Sequence, residues 1–209
     1  MSIRDRLAAG FMRFAQGLGN IGKGEEWEAI WNARLTAMEA ILGKCGDNVY
    51  HSPDPFYLGG DADVLVFEDY VKGFAYVTAD LTGPSEQPPN SAGLNYELMM
   101  CTRGPVEWAP SYVSRLSRYT LTNIINPNET MDFRVSFGES ELSALLWLAP
   151  DLSVDTFEVL GVPSTILLAV GITDGEIGLA RSEGIDTLVS KLRTGGIFPF
   201  TDPGRASIA

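Results

Sequence analysis

The chain is short of the residues that most catalytic and membrane functions need. It has one histidine, His51, and two cysteines, Cys45 and Cys101. A Ser/His/Asp or Cys/His centre would have to be built on that one imidazole. The Gly-x-Ser-x-Gly turn that presents a nucleophilic serine is absent. No apolar run approaches the roughly 18 residues of a membrane-spanning helix. Neither cysteine belongs to a Cys-x-x-Cys pair and no secretory leader is expected, so a reducing cytoplasm is the expected compartment. Positive charge is scarce: 15 Lys and Arg stand against 27 Asp and Glu, a net charge of −12. That argues against a nucleic-acid binder, which needs a basic stripe, and disfavours an anionic membrane surface. It suits a basic protein partner, because complementary charge speeds encounter. It suits plain solubility equally well.

What is present is ordinary core material. At 209 residues and 45% hydrophobic, the chain is sized for one domain with a real core. The organising stretch is Thr165–Ile172, almost continuously apolar and bounded by Pro163 and Ser164 before it and Thr173 and Asp174 after it. It reads as a strand buried on both faces. Thr173 and Asp174 are good helix caps, and Glu176 adds an acid in the first helical turn.

Residues Ser2 to Gly19 carry Arg4, Arg6 and Arg13 with Asp5 as the only acid, and Ile3, Leu7, Phe11, Phe14 and Leu18 recur at helical spacing. An amphipathic segment docked on its own domain is expected, with a membrane or a partner as the alternative surface, and a flexible joint over Gly17–Gly24. Glu25 to Leu42 is the clearest helix, striped by Trp27, Ile30, Trp31, Leu35, Met38, Ile41 and Leu42 and ended by Gly43. Gly46–Asp63 reads as a loop. Strands are expected at Val64–Glu68, Lys72–Ala79, Leu94–Thr102, Asp132–Phe137, Leu145–Ala149 and Ile197–Thr201, with a surface loop at Thr82–Gly93. Helices are expected at Trp108–Leu121, with Tyr112, Leu116 and Tyr119 inward, and at Ile185–Leu192. More strands than helices, joined mostly by short connections, predict an α+β fold: one large mixed, mostly antiparallel sheet with helices packed on its faces. The division expected is residues 1–24 as segment and joint and residues 25–209 as a single domain. Exposed sheet edges are expected at Val64–Glu68 or Asp132–Phe137.

Candidate chemistry is thin. His51 with the acidic loop of Asp54, Asp61 and Asp63 is the one constellation able to support a hydrolase reading, and a surface-loop histidine is the plainer one. Glu68 and Asp69 extend the acidic cluster, but calcium-loop spacing is missing and no metal or other cofactor is expected. The glycines after Val170 lack the Lys-Ser/Thr of a phosphate loop, and Asp174 and Glu176 would repel phosphate. Glu97 is an acid inside an apolar strand. It either faces solvent or pairs with Arg103 or Arg115. Thr201-Asp-Pro-Gly-Arg205 is an unusual polar cluster: Asp202 can accept hydrogen bonds in its own turn, and Arg205 can bridge to a carboxylate, with Glu97 and Asp80 as candidates. The alternative is that Asp202 and Arg205 grip a partner's backbone.

The stretch "ILLAVGITDGEIGLARSEGIDTLVSKL" followed by "TDPGRASI" resembles the Suppressor of fused domain family. Three further blocks are similar to it in order and spacing: "FAYVTADL" (Phe74–Leu81), "GLNYELMMCTR" (Gly93–Arg103) and "EWAPSYVSRLSRYT" (Glu107–Thr120). The resemblance spans roughly Tyr50 to Ile208. It implies the same α+β architecture and a non-catalytic protein-binding module rather than an enzyme. In the family's eukaryotic form a partner peptide is held as an added strand between this domain and a second one. The chain ends soon after Arg205, so the second domain is expected to be missing and strand addition would use an edge of this domain alone. The stand-alone bacterial form implies an immunity or regulatory protein directed at a specific partner. Asp80, Glu97, Arg103, Asp202 and Arg205 are the candidate partner-binding residues.

Overall fold

The computed structural model describes residues 21–54, 56–132 and 140–209. The expected N-terminal amphipathic segment, and most of the expected strand at Asp132–Phe137, lie outside them. Helix α1 (Ile21–Leu42) starts ahead of the expected Glu25. β1 (Cys45–Tyr50), a single 3-10 turn (Phe56–Leu58), β2 (Val64–Phe67), β3 (Phe74–Thr78) and β4 (Asn95–Thr102) follow. Then come α2 (Trp108–Tyr119), β5 (Thr130–Asp132), β6 (Leu142–Leu148), β7 (Phe157–Val159), β8 (Val162–Thr173), α3 (Asp174–Glu183) and α4 (Ile185–Thr194). The strands form one sheet in the order β1-β2-β3-β4-β8-β6-β5, with β7 hairpinned onto β8. Only the β4–β8 pairing is parallel. The fold is the expected α+β class.

β8 is the central strand. Ser164 to Thr173 are all buried between β4 and β6. Its side chains alternate between two cores, as strand geometry requires. Ile166, Leu168, Val170 and Ile172 face a core closed by Trp31, Leu35, Met38 and Leu42 of α1, Leu179 of α3, and Leu188 and Leu192 of α4. Leu167 and Ala169 face a second core, with Tyr96, Leu98 and Met100 of β4, closed by α2. The strand passes directly into α3 through a full capping box: the Thr173 hydroxyl accepts the Glu176 N–H, and the Glu176 carboxylate accepts the Thr173 N–H.

Several expectations are corrected. α2 buries Ala109, Val113 and Leu116, whereas Tyr119 is exposed. Leu116 is inward as expected and Tyr112 packs partly buried against the same core, so only Tyr119 is out of phase. Val64–Phe67 is not an edge: it lies between β1 and β3. Among the described residues the sheet ends at β5, which reaches Asp132, and at β1, in a segment expected to be loop, with Cys45 as its first residue. Residues 197–201 form no strand; one bridge joins Phe200 to Cys101, and Pro199 has no N–H to extend it. The Thr82–Gly93 loop is not a surface excursion. Thr82, Gln87 and Asn90 are buried, and the Gln87 side-chain amide hydrogen-bonds both the N–H and the carbonyl of Tyr96, acting as a surrogate strand. Both cysteines are buried and unpaired, and burial pushes their thiols up to about 11 for Cys45 and about 12 for Cys101.

Candidate functional site

The most unusual chemistry is a buried ionic knot where β3 ends and β4 begins. Glu97 alternates onto the same face as Met99 and Cys101, so it points into the core beneath α1 and not into solvent. Its carboxylate accepts from the Thr78 hydroxyl (2.5 Å), the Leu81 N–H (3.0 Å), the Thr82 N–H (2.9 Å) and the Thr82 hydroxyl (2.8 Å). The Thr78 oxygen itself accepts the Leu98 N–H, so its own proton is committed to Glu97. Burial pushes the Glu97 carboxyl up, while Arg34 and these donors oppose the rise.

Arg34 reaches this knot from α1. Its Nε donates to the Thr82 carbonyl (2.7 Å) and its Nη1 to the Ala79 carbonyl (3.2 Å), with the Asp80 carboxylate at 3.5 Å. Asp80 in turn accepts the Asp63 N–H (2.8 Å). Burial and the neighbouring Asp63 charge push the Asp80 carboxyl up to about 7 against the pull of Arg34. Asp63 also receives the Ser52 N–H (2.9 Å) and His51 Nδ1 (2.7 Å). That hydrogen bond is the leading reason the imidazole is raised above its ordinary value. The reading of the sequence missed Arg34. The signal was available: position 34 is in phase with Trp31, Leu35 and Met38, so a basic residue there must enter the core and find carboxylates.

The remaining candidates lie at the other end of the sheet. Arg205 does not reach Asp80 or Glu97. It forms a two-pronged pair with buried Glu176 (2.6 and 2.5 Å) and also donates to the Gly171 carbonyl (2.8 Å). Burial alone would raise the Glu176 carboxyl; Arg205 and the backbone N–H groups of Thr173 and Ile208 outweigh it and hold it below its ordinary value. Asp202 accepts the Gly204 N–H within its own turn (2.9 Å). Arg103 hydrogen-bonds the Gly196 carbonyl and lies over the Phe200 ring, 4.4 Å from its centre, and so is not the partner of Glu97. The five candidates therefore fall into two groups: Asp80 and Glu97 meet through Arg34, while Arg103, Asp202 and Arg205 sit beyond the C-terminal ends of β4 and β8. Of the acidic loop, Asp63 holds His51 and Asp61 lies 3.7 Å from Arg118. Among the described residues no group of three or more His, Cys, Asp or Glu is placed to hold a metal.

Beside the ionic knot runs β1. Its only strand partner among the described residues is β2, in a register broken by a bulge between Cys45 and Val49. Asp47, Asn48 and Tyr50 are exposed along it. Exposed Glu68 lies at its Cys45 end, just past the end of β2. An open edge of this kind offers backbone donors and acceptors to another chain.

The Suppressor of fused protein (SUFU) family model matches residues 61–206. Among solved structures, the chain is similar to one described as the Sufu-Fu complex, at 15% identity and a TM-score of 0.63, over 86% of this chain and 91% of that one. It is similar to a putative SUFU homolog from Neisseria gonorrhoeae FA 1090, at 12% identity and a TM-score of 0.56, over 86% and 97% of the two chains. Drosophila Suppressor of Fused matches at 15% identity and a TM-score of 0.53; this chain spans 77% of itself and 42% of that protein. No curated protein sequence matches. At these identities the solved structures establish the fold.

Proposed function

The chain belongs to the Suppressor of fused family, and on that premise we propose that it is a non-catalytic protein-binding module whose partner adds an extended segment to the outer edge of β1. The observation that carries this reading is the position of β1 at the end of the sheet, with exposed Asp47, Asn48 and Tyr50 along it. Strand addition takes its affinity from main-chain hydrogen bonds and its specificity from alternate side chains. A family relative described as a Sufu-Fu complex is consistent with a protein partner. The chain's net charge of −12 favours a basic one, and an immunity or regulatory role in a bacterium is the finer form of the reading. Arg103, Asp202 and Arg205 are assigned a supporting role in the fold, since each is engaged within the chain.

The test pairs capture with a blocked edge. Purified protein is used as bait in native lysate at low and high salt, and captured proteins are read by mass spectrometry. The captured partner is then titrated against the parent and against Asn48→Pro, which places a proline in the edge strand and hinders addition of a further strand. The expected result is one dominant basic protein, released by high salt, with affinity for Asn48→Pro reduced about tenfold or more. Undiminished affinity of a well-folded Asn48→Pro variant would move the interface away from β1.

A further inference from the structure

Arg34 and Asp80 of the knot line a cavity of about 590 Å³, within the range of sites for small organic ligands. α1 supplies one wall with Trp27 and Ile30, and the 3-10 turn supplies another with Phe56. Trp27 is held in place by stacking on Trp31, ring centres 5.3 Å apart. The charged groups are three carboxylates, Glu26, Asp80 and Glu86, against one cation, Arg34. That cation is largely spent: its shortest hydrogen bonds go to the Thr82 and Ala79 carbonyls, and only its longest, at 3.5 Å, reaches Asp80. Glu97 lies behind Asp80 with four donors of its own. Two buried acids thus share one buried base, and Asp80 is the member that opens on the cavity. A buried carboxylate with so little compensation is costly unless a cation joins it.

We propose that this cavity binds an organic cation, an ammonium or guanidinium on a short apolar stem, with Asp80 as its counter-ion and Trp27, Ile30 and Phe56 enclosing the stem. Aromatic walls with acids at the rim are the surroundings such a group requires. Asp80 supplies the short-range pairing; Glu26 and Glu86, both exposed, supply attraction at the mouth. Arg34 fixes Asp80 in place, and the three carboxylates disfavour anions. The inference does not depend on strand addition at β1, because no β1 residue lines the cavity.

Calorimetric titration of the full chain tests it. Phenethylamine and agmatine represent free amines, and blocked Gly-Lys-Gly and Gly-Arg-Gly peptides represent side chains of a partner. 2-Phenylethanol and phenylacetate are the neutral and anionic counterparts. The expected result is saturable binding of at least one cation, at least about tenfold tighter than the matched alcohol, with phenylacetate weaker still. Asp80→Asn keeps the acceptor for the Asp63 N–H and is expected to lose about tenfold or more in cation affinity. The rim variant Glu26→Gln/Glu86→Gln leaves the core untouched and is expected to weaken binding severalfold. A peptide that outbinds the free amines assigns the site to a partner's basic side chain; the reverse assigns it to a small molecule. Equal affinity for alcohol and amine, or no cation binding up to about 10 mM, overturns the proposal. So does unchanged affinity in Asp80→Asn or, should that variant fail to fold, in the rim variant. Asn48→Pro is expected to bind the amines as the parent does, so failure of the strand-addition reading would leave this one standing.

Discussion

Arg205 and Glu176 show how a residue that looks like an interaction handle becomes part of the fold. Their side chains are 7% and 0% exposed, and the carboxylate also closes the cap of α3. Removing one member leaves the other charged, buried and unpaired. Arg205→Ala is therefore expected to cost about 3–5 kcal/mol, read as a lower midpoint in urea unfolding. Asp80 makes the opposite kind of prediction. The folded chain raises its carboxyl from 3.8 to about 7, so the folded state holds that proton more tightly than the unfolded one. Its contribution to stability is present below about pH 4, is lost as pH rises to about 7 and is constant above that, with a span on the order of a few kcal/mol. Asp63, Arg34 and Glu97 are the charges around it. Asp80→Asn should flatten the fall of unfolding free energy between about pH 5 and pH 7. Glu97 is raised in the same direction and remains, so the slope shrinks without vanishing. Of this chemistry, the sequence made Glu97 legible as an acid out of place in an apolar strand. It could not show the partner, because Arg34 is 63 positions away in sequence and meets it only once α1 folds across the sheet. Arg205 was legible as a bridging group for the same reason, and its carboxylate was misassigned because Glu176 already had a local explanation in the helix dipole.

At the scale of elements, legibility followed burial. β8 was readable because both of its faces are buried, so its run is almost continuously apolar. α1 was readable because one stripe faces one core. Trp31 lies on that stripe, 3% exposed and stacked on Trp27. Trp31→Ala is expected to destabilise the fold by about 3–5 kcal/mol, measured by chemical denaturation. The same substitution leaves the cavity's acids in place, so it separates packing from charge. β1 was not readable, and the reason is physical. Cys-Gly-Asp-Asn-Val-Tyr alternates poorly, because only Cys45 is fully buried and a bulge breaks the register. Its strand character comes from backbone pairing with β2, which leaves no side-chain pattern behind. Gln87 is a similar case. A glutamine in a Pro-rich loop gives no sign that its amide will stand in for a neighbouring strand, because that role depends on the loop folding back onto Tyr96.

For the whole molecule, charge and topology point the same way. The excess of acid is spread through the chain, and Asp47 and Glu68 put part of it at the β1 end of the sheet. An acidic edge discourages pairing between copies of this chain, since two such edges repel, and it welcomes a basic segment. Association with a basic partner should therefore respond to ionic strength chiefly through the encounter rate. Raising salt from about 0.05 M to about 0.5 M shrinks the Debye length from about 14 Å to about 4 Å. The association rate is expected to fall by tenfold or more over that range, while the dissociation rate, set by main-chain hydrogen bonds and buried contacts, changes little. Surface plasmon resonance across a salt series measures both. A partner whose dissociation rate carried all of the salt dependence would place buried ion pairs, and not steering, at the interface. The ionic knot at Asp80, rather than the edge of β1, would then be the place to look for the contact.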